Sequence, residues 1–252
     1  MMRVTETVKQ LIIINIIFFV GSLIVGPAAD DILAMHFPLN PDFKVWQPLT
    51  YMFMHDRHNF LHIIFNMIGL WMFGSSLEQV WGAKKLIFFY ISCGLGAVAL
   101  HIGIDYYMFN KAMAVVEASG LTRDQILAAL STENLDVFQG KIDQATFNML
   151  ANSGYYGAML GASGALYGIT VAFAFVYPDV PMMMMFIPIP IKAKYLVPGL
   201  LALDLFLGLK GQGIFGSGGD GIAHFAHLGG ALIGFIMMWY WKKNSFNNNR
   251  WN

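Results

Sequence analysis

Residues 158–177 read AMLGASGALYGITVAFAFVY, an uncharged run with Ser163 near its start. At 1.5 Å per residue, a helix of about 20 residues spans the roughly 30 Å of hydrocarbon in a bilayer. Residues 222–241 read IAHFAHLGGALIGFIMMWYW, a second such run, with His227 near its start. A polar side chain in hydrocarbon is costly and is seldom kept there without a use. A serine and a histidine at matching depth suggest a nucleophile and its base.

Composition agrees with these two runs. The chain has 252 residues, 57% hydrophobic and 12% charged, against about one-quarter charged in a soluble protein. The apolar excess falls into six candidate helices, about 10–26, 59–77, 85–105, 157–177, 193–210 and 222–241. We therefore expect an all-α integral membrane protein, with residues 1–252 forming one domain in contact with the lipid bilayer. The formal net charge is zero, so no nucleic-acid partner is expected. The single cysteine, Cys93, excludes an internal disulfide and reads as a packing residue. The first run resembles a signal peptide in its charges, apolar core and Gly26-Pro27-Ala28-Ala29 ending; we read it as a retained span.

Lysine and arginine orient the bundle. With the N-terminus inside, the inner segments carry Arg3, Lys9, Lys84, Lys85, Lys192, Lys194, Lys242, Lys243 and Arg250. Most outer basic residues lie in two long loops, which count little in setting topology. Both termini are thus expected on the cytoplasmic side. Counting inward from the outer ends, Asn66, Ser163 and His227 each fall roughly 8–10 Å deep. Three polar side chains from three spans meet at one level.

These residues allow acyl-transfer chemistry. Ser163 needs a base to take its proton, and His227 can serve. The local motif offers no acid to orient the histidine, so a dyad is expected. Tyr167 lies one turn after Ser163 and would either pack against the imidazole or serve as a plain packing aromatic. His62 and Asn66, at i and i+4, share a helix face. They could supply oxyanion donors, with the Ser163 backbone N–H adding another if Gly161 and Ala162 form a helix start. Asn66 could equally serve interhelical packing alone. Gly157, Gly161, Gly164 and Gly168 on one span, with Gly230 and Gly234 on the other, let two backbones approach.

The ordered set resembles the rhomboid intramembrane serine proteases. The matches are His62-xxx-Asn66, Gly161-Ala162-Ser163-Gly164 with Tyr167, and Ala226-His227-xx-Gly230-xxx-Gly234. Gly74-xxx-Glu78 and Ile187-Pro188-Ile189-Pro190 look similar to family features too. The resemblance covers roughly 10–105 and 157–241. It implies a six-transmembrane-helix bundle with an extra helical insertion between helices 3 and 4. It also implies a Ser163–His227 dyad, an oxyanion site including His62 and Asn66, and cleavage of membrane-anchored protein substrates near the outer face. A bacterial inner membrane is the expected location, with the site open to the outer side. Two departures stand out. Trp46-Gln47 replaces the family's frequent Trp-Arg, and segment 106–156 replaces a short link.

Within that segment, Leu121-Thr122-Arg123-Asp124-Gln125-Ile126 reads as a capping box with a hydrophobic staple. Ile142-Asp143 with Phe147 reads as a second helix start. Two short outer helices are expected, either covering the substrate entrance or decorating the outer face. The glycine-rich loop 211–221 could cap the site or merely connect two spans. Met182 to Met185 read as interfacial packing.

Two other functions fit parts of the chain. His55, His58, His62, His224 and His227 could ligate a metal or haem. However, there is no HExxH and no evident carboxylate–histidine pairing, so neither a cofactor nor a metal is expected. Asp204 and Asp105 could mark the ion path of a non-catalytic membrane binder or transporter. The sequence leaves the oligomeric state open.

Overall fold

The first helix is built inside out. In the computed structural model, which describes residues 3–184, 187–210 and 222–248, α1 (Glu6–Val25) buries Thr7, Asn15 and Ser22. The same helix leaves Ile17 61% and Ile24 80% exposed. Water would favour the reverse, so the outer face is suited to lipid. Two of the buried polar groups bond to their own helix: Asn15 Nδ2 donates to the Leu11 carbonyl and Ser22 Oγ to that of Phe19, both at 2.8 Å.

A short helix α2 (Pro27–Leu33) and strand β1 (Met35–His36) lead to α3 (Gln47–Thr50). The next spanning helix runs Phe60–Trp81 as α4 (Phe60–Gly69), a widened turn at Leu70–Gly74, and α5 (Ser75–Trp81). Glu78 joins it to α1: its carboxylate accepts the Thr5 hydroxyl and, at 3.1 Å each, the Thr7 and Val8 N–H groups. The first turn of a helix lacks internal acceptors, and a carboxylate there also suits the helix dipole.

Helix α6 (Ala83–Ala118) has 36 residues. The expectation that this span stops near 105 is corrected: no glycine or proline interrupts 104–118, so the helix continues about 20 Å farther. The insertion proper begins after it. Its caps are as expected: Thr122 and Gln125 form a reciprocal capping box on α7 (Arg123–Ser131), and Asp143 accepts from Thr146 N–H on α8 (Gln144–Phe147). Phe109, Met113, Ile126, Leu130, Phe138 and Tyr155 form a small core of their own, joined by Phe37. A polar tie is added where Asn40 Nδ2 donates to the Tyr155 carbonyl at 2.9 Å.

Strand β2 (Ala158–Met159) pairs antiparallel with β1, Met35 opposite Met159 and His36 opposite Ala158. Helix α9 therefore starts at Ser163 and runs to Val176. Gly157 and Gly161, expected to line this helix, precede it. The physical reason is local: Gly161 has φ +127°, which a right-handed helix excludes. A hairpin of β3 (Pro181–Met184) and β4 (Ile187–Lys192) leads into α10 (Ala193–Lys210), and α11 (Ile222–Asn248) closes the fold. Among the described residues three helices, Glu6–Val25, Phe60–Trp81 and Ala83–Ala118, are long and apolar enough alone to cross a membrane, while α9 is shorter. The architecture is an all-α membrane fold with two two-stranded ribbons among the described residues.

The Trp46-Gln47 departure has a structural answer. Gln47 is fully buried and ties four backbone groups together. Its Oε1 accepts from His36 N–H at 3.3 Å and Lys44 N–H at 3.0 Å, while Nε2 donates to the carbonyls of Asp31 at 3.1 Å and Asp42 at 2.8 Å. A neutral amide thus saturates its own hydrogen-bonding capacity while bracing the loop.

Candidate active site

The serine is presented by a turn that only glycine can make comfortably. Gly161 N–H donates to the buried Tyr51 carbonyl at 3.0 Å. A methyl group at Gly161 would lie 3.0 Å from His62 Nε2 and 3.5 Å from Ser163 Oγ. His62 and the serine thus flank the same small space. Ala162 occupies the N-cap position and Ser163 the first turn of α9. Backbone N–H groups in that turn have no acceptor within the helix.

Close backbone contact brings the histidine to the serine. A methyl at Gly230 would sit 1.8 Å from the Gly164 carbonyl oxygen, and one at Gly234 2.8 Å from Gly168 Cα. A third helix joins them, since methyls at Gly164 and Gly168 would strike Ala97 and Cys93 of α6. Cys93 is buried there as a packing residue. With the backbones touching, His227 Nε2 lies 2.9 Å from Ser163 Oγ. Tyr167 stacks on the same imidazole, ring centroids 4.2 Å apart and planes within 6°.

Asn66 is buried, and its Nδ2 donates to the His62 carbonyl at 2.7 Å. The His62 ring receives Asp56 N–H at Nδ1, 3.4 Å away. His55 packs 5.1 Å from it, and burial, then the adjacent His62, push the His55 imidazole down to about 4.

The missing acid is present after all, on another helix. Asp204 of α10 is 1% exposed. Its Oδ1 lies 2.6 Å from His224 Nδ1 and its Oδ2 3.6 Å from His227 Nδ1. The expected absence of an acid partner and of any carboxylate–histidine pairing is therefore corrected. Asp105 is likewise paired, 3.3 Å from His101. Polar atoms of Asp204, His224 and His227 all fall within 4.8 Å of one another. The 2.6 Å contact is that of a charge-assisted hydrogen bond. Two ligands on one tetrahedral zinc would stand about 3.3 Å apart, wider than the Asp204–His224 contact, which is a hydrogen bond. The loop 211–221 lies outside the described residues.

The chain is similar in sequence to known proteins. Residues 42–244 match the rhomboid domain model. Rhomboid protein 1, mitochondrial, of Saccharomyces cerevisiae is 24% identical over 75% of this chain and 40% of its own length. The human presenilin-associated rhomboid-like protein, mitochondrial, is 24% identical over 93% of this chain and 47% of its own. Rhomboid protease GlpG of Haemophilus influenzae is 34% identical over 25% of this chain and 33% of its own. The chain spans less than half the length of each of these relatives. Since the matching domain takes in the greater part of the chain, from the loop before α3 to the last turns of α11, this integral membrane protein belongs to the rhomboid family.

Proposed function

We propose that the chain is an intramembrane serine endopeptidase that cleaves membrane-anchored proteins, with Ser163 as nucleophile and His227 as base. One observation carries the reading: the 2.9 Å contact between His227 Nε2 and Ser163 Oγ. It is within the reach a general base needs.

The substrate backbone must be exposed before attack, because a helical carbonyl is bonded to its own chain. His227 then takes the serine proton as Oγ attacks the scissile carbonyl. Negative charge builds on the carbonyl oxygen, and hydrogen-bond donors beside it stabilise it. The Ser163 backbone N–H in the first turn of α9 is one such donor. His62, which flanks the same space as Ser163, is another; the third is Asn66, one turn after it, through the Nδ2 proton not used on the His62 carbonyl. The protonated His227 next gives its proton to the leaving amine, and water hydrolyses the acyl-enzyme. Tyr167 holds the imidazole plane through both transfers.

The charge pattern supports cytoplasmic termini and a site open to the opposite face. The named relatives include mitochondrial and bacterial proteins, and they lend no support to the bacterial inner membrane in particular. The test is labelling by a serine-reactive fluorophosphonate in detergent. Labelling that disappears in Ser163→Ala and in His227→Ala supports the proposal. Equal labelling in Ser163→Ala removes it.

A further inference from the structure

A general base must present a lone pair, and which nitrogen of a neutral imidazole does so depends on where its one proton sits. For His227 Nε2 to accept from Ser163, that proton must be on Nδ1. The Nδ1 atom is buried and, among the described residues, has no hydrogen-bond partner; neither has Asp204 Oδ2. These two atoms face each other at 3.6 Å. A shift of roughly 0.7 Å would bring them to ordinary hydrogen-bond length, and such contacts commonly tighten when substrate binds.

The carboxylate is not free to turn away. Its other oxygen is held by His224 Nδ1 at 2.6 Å. His224 lies three residues before His227 on α11, so the same helix carries both the base and the clamp. Tyr167 stacks on one face of the imidazole ring. The ring therefore has an aromatic plane on that face and an anchored acid at its Nδ1 edge.

We propose that Asp204 is a positioning residue for His227, holding the Nδ1–H tautomer and stabilising the imidazolium formed when Nε2 takes the serine proton, with His224 fixing the acid's orientation. The proton moves from Ser163 Oγ to His227 Nε2, and Asp204 stays ionised throughout. The proposal rests on the serine-hydrolase reading and adds to its two residues an acid contributed by a third helix.

The experiment uses the full chain in detergent and a fluorophosphonate probe, separating the inactivation rate kinact from the probe affinity KI. Asp204→Asn keeps the shape and removes the charge. Losing a carboxylate that orients a histidine costs about 10–100-fold at a metal-bound imidazole and about 10⁴-fold in a Ser-His-Asp triad, so a loss of at least about 10-fold is expected. The expected result is a kinact lower by at least that factor, with KI and thermal stability unchanged. A purely structural role would lower stability or the labelled fraction and leave kinact alone. Nitrogen-15 NMR of the histidines, with the His227 signal assigned by its loss in His227→Gln, gives a second readout. It should show a protonated Nδ1 in the wild-type chain and a mixture of tautomers in Asp204→Asn.

A kinact within twofold of wild type overturns the role of Asp204 while leaving Ser163 and His227 in place. Absence of Ser163-dependent labelling in the wild-type chain overturns the hydrolase reading instead. The NMR comparison then still decides whether Asp204 controls the tautomer, and an unchanged spectrum overturns it. Should Asp204→Asn fail to fold, His224→Gln takes its place. Lower kinact at constant KI supports the clamp, and wild-type kinact overturns it.

Discussion

Gly230→Ala should disable the site without touching either reacting side chain. The added methyl would sit 1.8 Å from the Gly164 carbonyl oxygen and 2.7 Å from its carbonyl carbon. Both are backbone atoms, so no side chain can rotate away. Reaching a separation of 3.0 Å, the shortest found for real Cβ contacts, requires α9 and α11 to part by roughly 1.2 Å, since closely packed interiors have little slack. Ser163 is on one helix and His227 on the other. A parting of that size stretches their 2.9 Å contact to about 4 Å, beyond hydrogen-bond range. A displacement near 1 Å costs about 10²-fold in rate, or roughly 2.7 kcal/mol in barrier. The assay is the fluorophosphonate labelling rate in detergent, with thermal unfolding followed in parallel. Gly199→Ala is the control, because a methyl at Gly199 meets nothing within 4 Å; it should label at the wild-type rate. If Gly230→Ala labels as fast as Gly199→Ala, the glycine contact does not set the distance between serine and histidine, and the reasoning fails.

Other substitutions probe the supports of the site. Tyr167→Phe keeps the stacked ring and should retain labelling within about threefold, whereas Tyr167→Ala removes a contact of roughly 0.5–1.5 kcal/mol and should slow labelling up to about 10-fold; wild-type rates in both would show that the stack is mere packing. Gln47→Ala strands four backbone groups and should cost about 2–4 kcal/mol, read as a lower Tm, while the folded fraction labels normally; an unchanged Tm would mean the loop is braced elsewhere. His55 predicts a pH effect on stability. Its folded value is about 4 against 6.5 for the free group, so the unfolded chain binds the extra proton between those values. Stability is full above 6.5 and falls toward pH 4, by roughly 3 kcal/mol at most. His55→Leu should flatten that fall in thermal unfolding, and an equally steep fall would assign it to other groups.

The elements that sequence patterning reveals best are those whose cause is local. The long apolar helices follow from length and hydropathy, and the caps at Thr122 and Asp143 follow from side chains three residues from their backbone partners. Sequence alone puts the start of α9 too early because a glycine counts as a small helix-packing residue and as a turn residue alike. Gly164 and Gly168 are the first kind and Gly161 the second, and it is the pairing of Ala158 and Met159 with β1 that separates them. Sequence alone ends α6 too soon because composition changes near Asp105 while the helix needs only the absence of a breaker before Gly120. Polarity marks where a helix changes environment, and a glycine with positive φ, such as Gly120 or Gly161, marks where its backbone ends.

Asp204 was hidden for a different reason. It lies 23 residues before His227, inside the apolar stretch LALDLFLGL of a separate helix, so no local motif joins the two. Depth does join them. Counting down from Lys210, the last residue of α10, Asp204 is six residues in, or roughly 9 Å along a helix. Counting from Ile222, the start of α11, His227 is five residues in, at nearly the same level. The arithmetic that aligns Asn66 and His227 therefore selects Asp204 as well once the fifth span is included. A carboxylate buried at the level of a candidate base is seldom indifferent to it, because the cost of desolvating the acid is offset only by a donor or a positive charge. His224 supplies such a donor at one oxygen. His227 is the group facing the other, and it is the group that must become positive when the serine gives up its proton.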